Sequence, residues 1–289
     1  MNRLLGGYSP IVNRPPLRWP NGARLALWIV PNIEHYPFAP LHGAMNPYPR
    51  MPHPDVYAYG LRDYGNRVGF WRMLEVLDRH QVKGTLSLNI ACYENYPEVR
   101  AACEARGYDV MSHGIFNTDH MFDMSSTQQR DYIADCQARF RAAAGRDFTG
   151  WFSPANTGTP ETVRLAADAG LSYTSDLFHD DQPTLVADGR IVSLPYSMDL
   201  NDGWNFRSSM EAADFVRATL DQFECLYAEG GRVMCLPLHP YVLGQPHRIA
   251  HLDRLLEQIL AREGVWQATG AEIADWFRRQ PAAAVEVHP

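Results

Sequence analysis

Apolar runs alternate with segments of helical periodicity along most of the chain, and the first run sets the pattern. Residues 25–30, LALWIV, are apolar without interruption and stop at Pro31. That predicts a strand buried on both faces, the kind found in parallel sheets, which delivers Asn32, Glu34 and His35 at its C-terminal end. From Gly65 the pattern turns helical, with Val68, Trp71, Leu74 and Leu77 recurring as a core-facing stripe before Lys83-Gly84 and the strand TLSLNI. A short helix over 97–106 stops at Gly107, and YDVM runs into Ser112, His113 and Gly114. The next helix opens on Ser126 with Gln129 three residues on, a capping box, carries Ile133, Cys136 and Phe140, and ends near Gly145 before the strand FTGWFS. Thr159-Pro160 begins another helix, closed by Gly170 ahead of LSYTSD, and RIVSLPYSMD is a strand that points Asp199, Asn201 and Asp202 outward. A helix over 210–229, the strand RVMCLPL ending at His239, a helix over 249–262, VWQATG and a terminal helix through Trp276 complete the series.

Strand and helix alternate at intervals typical of βα units, and no linker or shift of composition marks a boundary. The expected fold class is therefore α/β, a barrel-like arrangement in one catalytic domain, 1–289, with a core over 25–279, an N-terminal arm over 1–20 and a long loop over 37–64. That loop, rich in Pro, Tyr, His and Asn, follows the first strand directly and is expected to wrap over a pocket.

Composition changes this picture mainly by exclusion. A net charge of -7 without a basic cluster argues against nucleic acid or an anionic membrane as partner, which leaves a small molecule. The five cysteines are dispersed, odd in number and without a CxxC pair, as expected of buried thiols in a reducing compartment. With no apolar N-terminal region and no run of 18 apolar residues, a cytoplasmic location is expected.

Polar residues gather at the predicted strand ends: Asn32 and Glu34, Ser112 and His113, Asp176 with His179, Asp180 and Asp181, and His239. In an α/β barrel these ends converge on one face, so residues remote in sequence share a pocket. Each alone reads more readily as a structural histidine or a loop-capping carboxylate than as a functional group. Trp204, after Asn201-Asp202-Gly203, is a candidate pocket wall, whereas Trp71 belongs to the helical core stripe.

The blocks DYGNRVGFWRMLEVLDRHQVKGTLSLN, SHGIFNTDH, GWFSPANTGTPETVRLAADAGLSYTSDLFHDDQP, LPYSMDLND and LPLHP, in this order and spacing, resemble the polysaccharide deacetylase superfamily, and within it the subgroup of cofactor-independent allantoinases and cyclic imide hydrolases. The resemblance covers roughly residues 25–264 and implies a distorted (β/α) barrel, a homo-oligomer and hydrolysis of an amide-type C–N bond. Two departures stand out. The family's Asp pair at the first strand end is here Asn32-Ile33-Glu34, and its His-x-x-x-His ligand pair has become His113 and Asn117. An amide oxygen replaces imidazole poorly on Zn²⁺. No obligatory cofactor is therefore expected. The alternative is one weakly held divalent metal such as zinc on Glu34 and His113, with His120 filling in.

The retained groups suffice for acid-base hydrolysis. Glu34, desolvated beneath the 37–64 loop, is expected to have a raised pKa suited to activating water, and His239 or His113 to protonate the leaving nitrogen. The Ser153-Pro154-Ala155-Asn156 turn offers donors for an oxyanion, and Arg67 a cation for a polar carbonyl, its rival reading being a surface pair with Asp63. Asn32 and Asn117 join Arg67, Ser153, Asn156 and Trp204 as substrate-binding candidates. The expected activity is hydrolysis of a small cyclic amide, an allantoin-like ureide or a cyclic imide. The alternatives are an N-deacetylase of a glycan or a degenerate barrel that only binds ligand.

Overall fold

The computed structural model of the chain describes residues 3–38 and 56–280. Its strands are β1 Leu25–Ile33, β2 Thr85–Leu88, β3 Asp109–Ser112, β4 Gly150–Trp151, β5 Tyr173–Thr174, β6 Thr184–Val186, β7 Ile191–Ser193, β8 Arg232–Leu238 and β9 Val265–Gln267. They form one sheet in the order β6-β7-β5-β4-β3-β2-β1-β8, with β9 also on β1. Every pair is parallel except β6 with β7. The sheet curls into the half-closed (β/α) barrel that the alternating pattern predicts.

β1 is buried along its whole length because both of its faces are apolar. Leu25, Leu27 and Ile29 pack with Met73, Leu77 and Leu256 under the helices Phe70–Arg79 and Ile249–Leu260. Ala26, Trp28 and Val30, on the opposite face by the period of two, meet Met111, Phe152, Tyr173 and Val192 inside the barrel. Burying side chains of this size contributes about 1.5–3 kcal/mol each.

Several boundaries differ from the sequence pattern for identifiable reasons. Pro31 does not end β1: on the edge facing β2 only an isolated bridge, Ile29 with Gly84, precedes the pairing that begins at Asn32, so the residue without an N–H falls in a gap of that ladder. Of the predicted 37–64 loop, Val56–Tyr64 is helix, while 39–55 lie outside the described residues. This helix runs through a π-helical turn, Gly65–Gly69, into Phe70–Arg79. The wider turn shifts the helical phase, so the buried stripe is Phe70, Met73, Leu74 and Leu77, and Trp71 is 37% exposed instead of packed. The capping box of Ser126–Ala144 lies one residue early, on Ser125 and Gln128, because Gln129 is buried and donates to the Met121 and Met124 carbonyls. A helix, Ile90–Asn95, follows β2 directly where the pattern read as the end of a strand.

A polar plug closes the end of the barrel from which the parallel strands start. Asp109 accepts from Thr85 Oγ1 (3.1 Å), Thr149 Oγ1 (2.6 Å), the Tyr173 hydroxyl (3.2 Å) and the Ala271 amide (3.2 Å). Three strands, the residue before a fourth and the helix Gly270–Arg278 thus share one carboxylate.

Candidate active site

Parallel pairing carries the C-terminal ends of β1, β3 and β8 to a common rim, where Glu34, His113 and His239 meet. Glu34 Oε1 lies 3.4 Å from His239 Nε2 and 3.8 Å from His113 Nε2. All three residues are buried, and Glu34 Oε2 has no hydrogen-bond partner among the described residues. Asp202, fully buried at the start of the helix Asp202–Asn205, completes the line. It accepts from the His239 amide (2.9 Å) and from His239 Nδ1 (2.6 Å). Gly203 lets this helix come so close: a Cβ there would stand 3.0 Å from His239 Cε1. The sequence pattern placed Asp202 only among outward-pointing residues.

The charges settle as two anions around one imidazolium. Burial pushes Glu34 up, but the charge and hydrogen bond of His239 lead the effects that hold its carboxyl down to about 2, and the Arg62 charge adds to them. The raised pKa expected of Glu34 is thereby corrected: the neighbouring cations outweigh desolvation. Burial pushes His239 down, yet Asp202 and Glu34 lift it to about 9. Burial lowers His113 despite the attraction of Glu34. Its Nδ1 lies 3.0 Å from the Phe152 carbonyl, so the ring proton sits there and the Nε2 lone pair faces Glu34.

Around this centre the walls are built largely of amide and phenol groups. The Tyr196 hydroxyl donates to Asn32 Oδ1 (3.2 Å), and Asn201 Nδ2 donates to Tyr196 (3.4 Å). Asn117 donates to the Tyr36 hydroxyl and accepts from the Ala155 amide (3.1 Å). Arg62 is buried with its guanidinium 4.2 Å above the Tyr36 ring and 5.9 Å from that of Tyr241. Sequence reasoning missed Arg62, Tyr36 and Tyr241; the one signal was a Tyr two residues beyond each of Glu34 and His239.

Other expectations are not met. The 153–156 turn has no main-chain donor left for an oxyanion. Ser153 gives both its amide (2.7 Å) and hydroxyl (2.9 Å) to Asp176, the Ala155 amide serves Asn117, and the Asn156 amide donates to the Ser153 carbonyl (3.0 Å). The Asn156 side chain is exposed and donates to Met198 Sδ (3.5 Å). Arg67 is an exposed surface residue paired with Asp63, one turn from the buried Arg62. Asp180 pairs with Arg14 of the N-terminal arm and His179 with Thr184 (3.2 Å), so these two are engaged elsewhere, while Asp176 of the same segment holds the Ser153 turn. Trp204 is 59% exposed, next to the Gly203 that faces His239.

With this geometry in hand, the chain can be set beside known proteins that it resembles. Residues 55–174 match the family described as polysaccharide deacetylase. The chain is 28% identical to a Schizosaccharomyces pombe protein named for the polysaccharide deacetylases, over 97% of this chain and 98% of that one. To a Helicobacter pylori peptidoglycan deacetylase it is 23% identical over 79% of this chain and 89% of the other. The crystal structure of PuuE allantoinase superposes with a TM-score of 0.82 at 26% identity, covering 93% of this chain and 95% of that one.

The polysaccharide deacetylase resemblance implies a metal, and the donor set does not fit one. Among the described residues no group of three or more His, Cys, Asp or Glu is disposed to hold a metal ion. Asn117, where the second imidazole would stand, turns its oxygen to the Ala155 amide and its nitrogen to Tyr36. His120, the expected substitute, lies against Phe122 with Nδ1 3.6 Å from Asp123. His239 has its Nδ1 committed to Asp202 and forms an ion pair with Glu34. Held as an imidazolium, His239 carries a proton on Nε2 and offers no lone pair, so Glu34 and His113 lack a third strong donor.

Proposed function

We propose that this chain hydrolyses the C–N bond of a small cyclic amide, an allantoin-like ureide or cyclic imide, without an obligatory metal. The observation that carries the reading is the Glu34 carboxylate held beside a charged His239, with one oxygen unpartnered and the lone pair of a neutral His113 next to it. A water seated on Glu34 Oε2 gives a proton to Glu34 while its oxygen adds to the ring carbonyl. The resulting oxyanion collapses, the C–N bond breaks, and His239 Nε2 delivers its proton to the departing nitrogen. Glu34 then returns its proton to His239 across the 3.4 Å that separates them. Asp202 holds the imidazole through Nδ1 and the main chain through the His239 amide, and keeps the ring charged for this step. A carboxylate this acidic is a weak base, which suits a strained or electron-poor ring carbonyl better than an unactivated acetamide.

The likeness to PuuE allantoinase supports the cyclic substrate. The likeness to a peptidoglycan deacetylase supports the second reading, N-deacetylation of a glycan. A degenerate, purely binding barrel stands as the third. The same proposal includes one catalytic domain, a small-molecule substrate with neither nucleic acid nor membrane as partner, a cytoplasmic location and a homo-oligomer, either dimer or tetramer. Among the described residues no helix is long and apolar enough to cross a membrane. The test is turnover of allantoin, hydantoin, dihydrouracil, succinimide and N-acetylglucosamine oligomers by the purified chain. Ring opening of a cyclic member alone is expected. Acetate release from the oligomers overturns it for the second reading, and turnover of none overturns it for the binding module.

A further inference from the structure

The peptide unit that joins Glu34 to His35 is held on both sides by asparagine side chains. Asn66 Nδ2 donates to its carbonyl (2.8 Å), and Asn89 Oδ1 accepts from its amide (2.9 Å). The far end of the Asn89 side chain, Nδ2, donates to the His113 carbonyl. Both asparagines are buried, Asn89 completely. Its partners also fix which way the Asn89 amide points, because exchanging oxygen and nitrogen would set donor against donor and acceptor against acceptor. Asparagine is favoured at a helix N-cap, where its side chain bonds back to the helix's own amides. Asn89 stands at that position before the helix Ile90–Asn95 and makes no such bond. The first two amides of that helix are served elsewhere, by the Gly114 (2.9 Å) and Ile115 (3.2 Å) carbonyls. On the other side, β1 and β2 pair as far as Ile33 with Leu88, and the Asn89 amide still reaches the Ile33 carbonyl (3.0 Å). Beyond that point the chain after β2 turns away, and the Asn89 side chain continues the ladder. Asn66 approaches from the π-helical turn Gly65–Gly69, which lies against the residues after His239: a Cβ on Gly65 would stand 3.0 Å from the Tyr241 amide nitrogen.

We infer that Asn89, with Asn66 on the other side of the same peptide unit, is a positioning residue that sets the separation of the Glu34 carboxylate from the His113 imidazole. The inference deepens the hydrolytic reading above and rests on it for its effect on turnover. In that reading Glu34 presents Oε2 to water while Oε1 stays within reach of His239 Nε2. The carboxylate is only loosely tethered by its own contacts: Oε2 has no partner among the described residues, and Oε1 lies 3.4 Å from His239 and 3.8 Å from His113. Its place is therefore inherited from the main chain that carries it. His113 is fixed likewise, through its amide to the Leu88 carbonyl (2.8 Å), its Nδ1 beside the Phe152 carbonyl (3.0 Å) and its own carbonyl on Asn89. Asn89 is bonded to both of these chains at once, so one side chain holds base and neutral imidazole at a common spacing. Both asparagines act through main chain, without touching the substrate.

The test takes Asn89→Ala, which removes both side-chain bonds, and Asn66→Ala, which removes the one to Glu34. With the best substrate of the panel, Asn89→Ala is expected to lower kcat of the folded protein by about 10–10²-fold and Asn66→Ala by less, each with KM changed less than about threefold. In crystal structures of the parent and Asn89→Ala, the separation of Glu34 Oε1 from His113 Nε2, 3.8 Å in the parent, is expected to change by more than about 0.5 Å. Asp109→Ala, at the opposite end of the barrel, is the control for lost stability alone: its melting temperature falls while kcat of the folded fraction stays at the parent value. An Asn89→Ala variant that behaves like this control, a loss confined to KM, or a separation within about 0.5 Å of the parent's overturns the inference. Where Asn89→Ala does not fold, Asn89→Ser, too short to span both chains, takes its place under the same criteria. If the parent turns over nothing in the panel, the hydrolytic reading fails separately, and the separation in the crystal alone decides whether Asn89 sets the spacing.

Discussion

Replacing Asp202 with Asn tests whether His239 is held as the acid. In the parent chain Asp202 receives both the His239 amide (2.9 Å) and Nδ1 (2.6 Å) inside a fully buried contact. The imidazole is thereby lifted from the ordinary 6.5 to about 9 against the opposing effect of burial. At 1.36 kcal/mol per unit, that is about 3 kcal/mol in favour of the charged ring, shared between Asp202 and Glu34. Removing the nearer and better-aligned carboxylate is expected to drop the His239 pKa by about 1–3 units. At neutral pH a substantial share of the acid is then unprotonated, and the remaining amide no longer fixes one ring orientation. Together these lower kcat/KM by about 10²-fold. The assay is the pH profile of kcat/KM for the parent and D202N, with the His239 titration followed by long-range ¹H–¹⁵N NMR. The parent should lose activity as the pH rises through about 9, and D202N should lose it nearer neutrality. Stability follows the same sign. A histidine whose folded pKa is raised stabilises fully below 6.5 and loses that contribution as the pH climbs towards about 9, so the parent weakens across this window and D202N much less. An alkaline limb still near the parent position in D202N would refute the reasoning, because the lift could not then come from Asp202.

Glu34→Gln is expected to reduce kcat by about 10²–10⁴-fold with the fold intact, and retention of more than half the activity would remove Glu34 from the mechanism. Because burial lowers His113, its neutral form should persist to below 6.5 and activity should fall only as the pH drops further; an acid limb above 6.5 would contradict the assigned tautomer. Exhaustive chelation should leave turnover unchanged, whereas near-stoichiometric zinc whose removal abolishes activity and whose return restores it would show that the donor set has been misread. Gly69→Ala should destabilise by about 1–3 kcal/mol and displace the His239 loop, since the added Cβ would stand 2.0 Å from the Pro240 carbonyl oxygen; an unchanged melting temperature would show that the contact relaxes freely.

Much of this architecture was legible because burial on both faces of β1 leaves an unmistakable apolar run, and because parallel strands point their ends one way. That logic brought Glu34, His113 and His239 together from three distant segments. What escaped it was anything that depends on neighbours. The raised pKa expected of Glu34 followed from burial alone, and the positions of His239 and Arg62 reverse it. The donors of the 153–156 turn looked free until Asp176 and Asn117 were seen to occupy them. Arg67 is exposed and Arg62 buried, and nothing in the residue types of this segment tells the two apart. The expected closure of the pocket by the 37–64 segment falls mostly on 39–55, outside the described residues.

The plug at Asp109 bears on how such a barrel changes its trade. The bonds that fasten its lower end, from Thr85, Thr149, Tyr173 and Ala271, share no residue with Glu34, His113, His239 or Asp202 at the upper one. A substitution on the rim can alter the chemistry without loosening the foundation. The reverse also holds: Asp109→Ala should weaken the whole scaffold while leaving the arrangement of acid and base untouched in whatever fraction stays folded. Foundation and workshop stand at opposite ends of the same strands, so each is free to be rebuilt while the other stays in use.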